Sequence, residues 1–224
     1  METQRRTRVK ICCITTLEEA RLAIAHGADA LGLVSEMPSG PGVIPEERIA
    51  EIAAAVPPPI ATFLLTSRND VDGIVEQVRR CGTNTVQLCD QLEPGDHQRL
   101  AAALPGIRIV QVVHVTGEDS VAEAYAVGPH VHALLLDSGK PDGDVKELGG
   151  TGRIHDWRLS RRIVEGSPVP VFLAGGLRAV NISEAIRQVG PFGVDLCSGV
   201  RANGELDTEK LGRFYAALVW SGFG

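Results

Sequence analysis

The segment VPVFLAGGLRAVNISEAIRQVGPFGVDLCSGV, residues 169–200, contains a complete strand–helix–strand unit. Its apolar runs predict strands at 171–174 and 194–198, and a helix is predicted between them at 181–188. Strands that are continuously apolar and are joined by a helix are typical of a parallel sheet buried on both faces. The segment therefore predicts an α/β fold built on a parallel sheet.

The same unit recurs along the whole chain. We predict strands at residues 9–14, 30–34, 60–65, 85–89, 108–114, 133–137, 171–174 and 194–198. We predict helices at residues 17–26, 46–56, 71–81, 96–104, 120–127, 157–164, 181–188 and 208–218. A Rossmann-like sheet is the rival fold, but no G-x-G-x-x-G sequence follows the first strand. Eight units in 224 residues fit a closed barrel better, so we predict one α/β domain, residues 1–224, folded as a single (β/α)8 TIM barrel.

Composition and charge exclude several classes of protein. The formal net charge is −6 and the basic clusters are short, so we expect no nucleic-acid surface, although one small anionic molecule remains easy to bind. No apolar run is long enough to span a bilayer, and no secretory signal is evident. The five cysteines form no disulfide framework, which predicts a reducing, cytoplasmic location. The cysteines and histidines also lack the spacing of metal ligands, so we expect no metal site.

Reactive groups of a (β/α)8 barrel lie where its strands end and in the loops that follow. Gly175-Gly176 and Ser198-Gly199 follow the last two strands, where glycines allow backbone amides to approach a phosphate closely. Plain turn glycines are the alternative interpretation. Asp137 ends the sixth strand, where a partly desolvated carboxyl group is suited to donate a proton. A solvated loop residue or a helix cap is the alternative there.

Two other segments leave alternatives open. Cys12 lies where a thiolate could serve as a base, although a strand cysteine is more often a small core residue. Neighbouring strand residues face opposite ways, so we expect one of Cys12 and Cys13 to face the barrel interior and the other the helices. Spacing does not decide which. The long loop after the sixth strand contains Gly150 and Gly152, which are suited to lid or phosphate contacts.

Six stretches occur in order along nearly the whole chain. They are KICCIT at 10–15, GADALG at 27–32, LLLD at 134–137, GGTG at 149–152, LAGGL at 173–177 and VDLCSGV at 194–200. Together they resemble the phosphoribosylanthranilate isomerase family. The resemblance implies a TIM barrel of the ribulose-phosphate-binding type and an isomerase of tryptophan biosynthesis that needs no metal or organic cofactor. Its reaction would be the Amadori rearrangement of N-(5-phosphoribosyl)anthranilate to a carboxyphenylamino-deoxyribulose phosphate.

The resemblance also implies a role for each candidate residue. Cys12 corresponds to the general base that takes the C2′ proton, and Asp137 to the general acid that protonates the ring oxygen. The phosphate-binding residues would be Gly150, Gly152, Gly175, Gly176, Ser198 and Gly199. The rest of the sugar-phosphate substrate would meet Asp195, Cys89 and Arg201.

Three positions depart from the family pattern. Cys13 stands where the family has glycine, and Cys89 replaces a histidine after the fourth strand. The loop at 39–43, SGPGV, lacks the arginine that grips the anthranilate carboxylate, and Arg68 or Arg201 is a candidate replacement. The alternatives are therefore an isomerase or lyase of a related phosphorylated sugar derivative without that carboxylate, or a non-catalytic sugar-phosphate-binding paralogue. The sequence is compatible with a monomer or a homodimer.

Overall fold

The eight predicted strands form one closed parallel barrel. The computed structural model describes residues 6–139, 148 and 154–220, and the strands follow one another in chain order until the eighth pairs with the first. They are β1 (Arg8–Ile11), β2 (Ala30–Val34), β3 (Ala61–Thr66), β4 (Thr85–Leu88), β5 (Arg108–His114), β6 (Ala133–Asp137), β7 (Val171–Leu173) and β8 (Gly193–Leu196). The prediction of a (β/α)8 TIM barrel is confirmed.

Eight helices alternate with these strands along the described chain. They are α1 (Leu17–His26), α2 (Glu46–Ala55), α3 (Val71–Cys81), α4 (Asp96–Ala103), α5 (Asp119–Val127), α6 (Trp157–Gly166), α7 (Ile182–Val189) and α8 (Thr208–Trp220). Local sequence explains the ends of α1, because Thr16 Oγ1 accepts a hydrogen bond from the Glu19 amide and Gly27 ends the helix at φ 105°. In α3, the Asp70 side chain accepts a hydrogen bond from the Gly73 amide at the start of the helix, and Gly82 ends the helix in the left-handed region.

Side chains of the strands divide between two apolar cores. Leu31 and Leu33 pack in the layer between barrel and helices, whereas their neighbours Ala30 and Val34 belong to the cluster inside the barrel. The interior also holds a charged group, because Lys10 is completely buried and forms an ion pair with Asp195. These two residues are register partners where β1 and β8 close the barrel.

Parallel strands bring all eight carboxyl ends to one rim of the barrel. Beyond β8 the chain forms a 3₁₀ turn, Ser198–Val200, and a short hairpin of β9 (Arg201–Ala202) and β10 (Glu205–Leu206). This hairpin was not expected from the sequence. Within the described residues, no helix combines the length and the apolar character needed to cross a lipid bilayer.

Candidate active site

A cavity opens at the rim where the strands end. Its described lining comprises Cys12, Cys13, Val34, Met37, Ser39, Gly40, Pro41, Leu65, Gln87, Cys89, Asp137, Leu148, Ala174, Gly175, Gly176, Leu177, Asp195, Cys197 and Ser198. Most of the candidate residues chosen from the sequence are therefore brought together. Gly150 and Gly152 lie outside the described residues.

Both adjacent cysteines face this cavity. Strand β1 ends at Ile11, and Cys13 has a φ of 63°, in the left-handed region that side chains other than glycine seldom adopt. The alternation of a strand therefore stops before Cys13, and both thiols belong to the interior cluster. The prediction that one of the pair faces the helices is wrong for this reason. A Cβ at Gly42 would lie 2.5 Å from Cys13 Cβ. Only glycine at position 42 therefore lets the loop after β2 come this close to Cys13.

The Cys12 thiol lies in a narrow space beside the buried ion pair. A Cβ at Gly32 on β2 would come within 2.8 Å of Cys12 Sγ. The thiol therefore fits only because glycine at position 32 has no side chain. Lys10 Nζ donates to Asp195 Oδ2 at 2.9 Å. Burial alone would lower the pKa of Lys10, but the Asp195 carboxylate and the nearby thiol of Cys12 hold that pKa above its usual value. A permanent cation therefore lies close to the Cys12 sulfur.

Asp137 ends β6 and is buried in the cavity wall. Burial raises the pKa of its carboxyl group, although the Ser138 amide donates to Oδ1 at 2.7 Å and opposes the change. The group therefore keeps its proton to a higher pH than an exposed aspartate. That property suits a proton donor, and the cavity places the donor in the same enclosure as Cys12.

The glycine loops after β7 and β8 form one side of the cavity. Gly175 and Gly176 have φ values of 83° and 64°, which favour glycine and turn the chain sharply towards α7. Asn181 holds this turn, because its Nδ2 donates to the Gly176 carbonyl at 3.0 Å. A Cβ at Gly199 would lie 2.0 Å from the Leu177 carbonyl oxygen, so the loops pack directly against each other. Backbone groups, rather than side chains, shape this end of the site.

The three remaining candidates differ in position. Asp195 lines the cavity, and its Oδ1 is buried without a hydrogen-bond partner among the described residues, although Oδ2 is paired with Lys10. Cys89 also lines the cavity, and burial raises the pKa of its thiol to about 12, so it is a neutral wall residue. Arg201 is placed elsewhere and does not belong to the described lining.

Arg201 links Glu19 to the backbone of Cys12 and Cys13 through hydrogen bonds. Its Nη1 donates to Glu19 Oε1 at 2.6 Å and to the Gly204 carbonyl at 2.9 Å. Its Nη2 donates to the carbonyl groups of Cys12 and Cys13. These bonds use the guanidinium within the protein, so we replace the prediction that Arg201 binds substrate with a structural role.

Two residues of the site were missed in the sequence. Lys10 could have been found, because it precedes Cys12 by two positions and a strand places such residues on the same face. Cys197 could have been found in the same way as Cys12, because it lies in the predicted eighth strand, and a closed barrel pairs that strand with the first. Across the residues that the structure describes, no group of three or more His, Cys, Asp or Glu side chains could hold a metal ion.

Comparison with known proteins gives one consistent family. The family model described as N-(5'phosphoribosyl)anthranilate (PRA) isomerase matches residues 9–217. A relative from Haloferax volcanii, N-(5'-phosphoribosyl)anthranilate isomerase, is 39% identical over 213 residues, which cover 94% of this chain and 92% of the relative. The crystal structure of phosphoribosyl anthranilate isomerase from Thermotoga maritima superposes with a TM-score of 0.82 at 29% identity, covering 96% of this chain and 99% of that one. A further isomerase structure holds reduced 1-(o-carboxyphenylamino)-1-deoxyribulose 5-phosphate and superposes with a TM-score of 0.79 at 27% identity, with 96% and 99% coverage.

Proposed function

The chain belongs to the N-(5'phosphoribosyl)anthranilate isomerase family, and from this premise we propose which of its residues carry out the reaction. It is an isomerase of tryptophan biosynthesis that rearranges N-(5-phosphoribosyl)anthranilate to its carboxyphenylamino-deoxyribulose phosphate. The observation that supports our residue assignment is the enclosure of one thiol, Cys12, and one carboxyl group of raised pKa, Asp137, in a single cavity.

The proposed chemistry moves protons between the substrate and two side chains and leaves both side chains unchanged at the end. Asp137 gives its proton to the ring oxygen of the ribosylamine, and the C1′–O bond breaks to leave an open-chain iminium ion that keeps its N–H proton. Cys12, as thiolate, removes the C2′ proton, and the electrons of that C–H bond form the C1′=C2′ bond of a neutral enolamine. The Asp137 carboxylate takes the enol proton and the Cys12 thiol returns a proton to C1′, which gives the aminoketone product and restores both groups. General acid and base groups of this kind each contribute roughly 10²–10⁴-fold to a rate.

We assign the substrate phosphate to the backbone of the loops after β7 and β8. Gly175, Gly176 and Ser198 line the cavity, and Gly199 packs against the Leu177 carbonyl group next to them. Glycine loops at this end of a barrel suit an anion, which gains from converging backbone N–H donors. Asp195 Oδ1 is a free acceptor that suits a substrate hydroxyl group. Gly150 and Gly152 complete the assignment as contacts of the preceding loop.

Site-directed variants test the two proton-transfer roles. Cys12→Ala and Asp137→Asn should each lower kcat with fresh phosphoribosylanthranilate by about 10²-fold or more. Cys81→Ala is the matched control, because Cys81 is a buried thiol of α3 that packs in the outer core. Full activity in either Cys12→Ala or Asp137→Asn would reject the role assigned to that residue.

A related phosphoribosyl amine without the carboxylate is a second candidate substrate. It is favoured because none of the described residues that line the cavity carries a positive charge, whereas Asp137 and Asp195 are acidic. The loop after β2 contributes Met37, Ser39 and Pro41, which offer an apolar or neutral surface to an aromatic ring. Comparing kcat/KM for phosphoribosylanthranilate and phosphoribosylaniline decides between the two, since a preference for the anthranilate above about tenfold would dismiss the second candidate.

We further propose that residues 1–224 act as one barrel domain in the cytoplasm. The five cysteines lack the spacing of a disulfide framework, which favours a reducing compartment. We propose a monomer or a homodimer, and light scattering of the purified protein measures which one forms. Fractionation of the source cells tests the location.

A further inference from the structure

Three thiols meet at the mouth of the barrel. We call Cys12, Cys13 and Cys197 the thiol cluster. Cys13 Sγ lies 2.8 Å from Cys197 Sγ, although the two residues are 184 positions apart in the chain. Both also line the candidate active site, next to Cys12. The catalytic mechanism proposed above uses only Cys12, so the Cys13–Cys197 contact has no role in it.

The backbone, and not only side-chain rotation, brings these sulfur atoms together. The Cys12 amide donates to the Leu196 carbonyl at 2.7 Å, which extends the β1–β8 ladder up to the cluster. Cys13 then turns into the left-handed region at φ 63°, and Gly42 packs against its Cβ from the other side. Cys13 therefore has little freedom to move away from Cys197.

We propose that Cys13 and Cys197 are a reversible oxidation site, at which a small disulfide such as oxidised glutathione links them by a disulfide bond. The Cys197 thiolate attacks one sulfur of oxidised glutathione, which releases one glutathione thiolate and leaves a mixed disulfide on Cys197. The Cys13 thiolate then attacks the Cys197 sulfur and releases the second glutathione. Two protein thiols are oxidised and one glutathione disulfide is reduced to two glutathione molecules.

The order of attack follows from exposure and charge. Cys197 is partly exposed, whereas Cys13 is buried. Contact with Cys13 lowers the pKa of Cys197, and the Arg201 guanidinium acts in the same direction. Contacts with Cys12 and Cys197 raise the pKa of Cys13, which makes it the slower, resolving thiol.

The bond should also lower activity, and this part rests on the proposed function of Cys12. A disulfide bond is about 2.0 Å long, so its formation draws the turn at Cys13 towards β8. Cys12 precedes Cys13 directly in that turn. Misplacing a reacting group by about 1 Å can cost about 10²-fold in rate, so we expect at least a fivefold, thiol-reversible loss of kcat.

Peptide mapping tests the bond without any measurement of activity. The native protein is incubated with oxidised glutathione, its remaining thiols are alkylated, and it is digested with trypsin. We expect peptide 11–21 joined to peptide 188–201, with fragment ions that place the link on Cys13. The link should disappear in Cys13→Ser and in Cys197→Ser and persist in Cys12→Ser and in the control Cys81→Ala. No joined peptide, or a link that persists in Cys13→Ser, would overturn the proposal.

The activity arm compares each variant with its own reduced form. Unaltered protein should lose kcat on oxidation and regain it with dithiothreitol, whereas Cys197→Ser should lose less than twofold. A fully linked protein that keeps its rate would overturn the proposed effect on catalysis. If reduced protein has no isomerase activity at all, the proposed function fails, but the mapping result still decides whether the oxidation site exists.

Discussion

Replacing Lys10 by methionine tests the buried ion pair beneath the cavity. Lys10 Nζ and Asp195 Oδ2 lie 2.9 Å apart, and their side chains are 0% and 8% exposed. At an effective dielectric constant of about 20, two unit charges at this distance attract each other by about 6 kcal/mol, which offsets the cost of burying them. Methionine fills most of the lysine volume but leaves the Asp195 carboxylate buried and unpaired. Breaking a buried pair from one side costs roughly 3–5 kcal/mol, so we expect a fall of that size in the free energy of unfolding.

Urea unfolding at constant pH, followed by circular dichroism, measures this loss. Arg48→Met is the matched control, because Arg48 and Glu51 lie 2.7 Å apart but are both 49% exposed. Solvent screens such a pair, so the control should lose less than about 1 kcal/mol. The double variant Lys10→Met/Asp195→Asn removes both charges and should recover at least about 2 kcal/mol of the loss. If Lys10→Met unfolds within about 1 kcal/mol of the unaltered protein, the claim that this pair neutralises a buried charge is wrong.

Three further predictions concern catalysis. Burial raises the pKa of Asp137, and the acid form that donates the proton is present only below that pKa. We therefore expect kcat to fall as the pH rises through the pKa of Asp137. The pH profile of Asp137→Asn should lack this fall. Gly199→Ala places a methyl group 2.0 Å from the Leu177 carbonyl oxygen and should raise KM about tenfold or more, whereas Gly212→Ala, with open space at its Cβ position, should leave KM within twofold. Pro41→Arg adds a guanidinium to the cavity wall and should lower KM for phosphoribosylanthranilate about tenfold relative to Pro41→Gln; equal values in the two variants would contradict the inference that the wall lacks a carboxylate partner.

Local signals were sufficient for the elements whose ends are set by neighbouring residues. The predicted bounds 17–26 and 71–81 are those of α1 and α3, because a capping side chain precedes each helix and a glycine follows it. The first strand was predicted at 9–14 but ends at Ile11. The apolar run continues past this point, and only the packing of Gly42 on Cys13 shows why the backbone turns there.

Long-range contacts explain what the sequence could not reveal about the site. Arg201 follows a phosphate-loop motif and was expected to meet substrate, yet it reaches Glu19, 182 positions away. Nothing near Arg201 in the sequence indicates that partner. By contrast, Cys12 and Asp137 were found because the fold itself dictates that strand ends meet at one rim, and that rule needs no knowledge of side-chain partners.

The pairing of the first strand with the last has a consequence for how the protein is made. Lys10 is synthesised 185 residues before its counter-ion, Asp195. Until Asp195 is present, docking β1 into an apolar interior would remove the Lys10 ammonium group from water without giving it a partner, which costs several kcal/mol. A slip of one residue in the final ladder would set Lys10 beside Val194 or Leu196 and carry the same penalty. We therefore expect the Lys10 ammonium group to oppose docking of β1 before β8 is present and to favour the one alignment in which it meets Asp195.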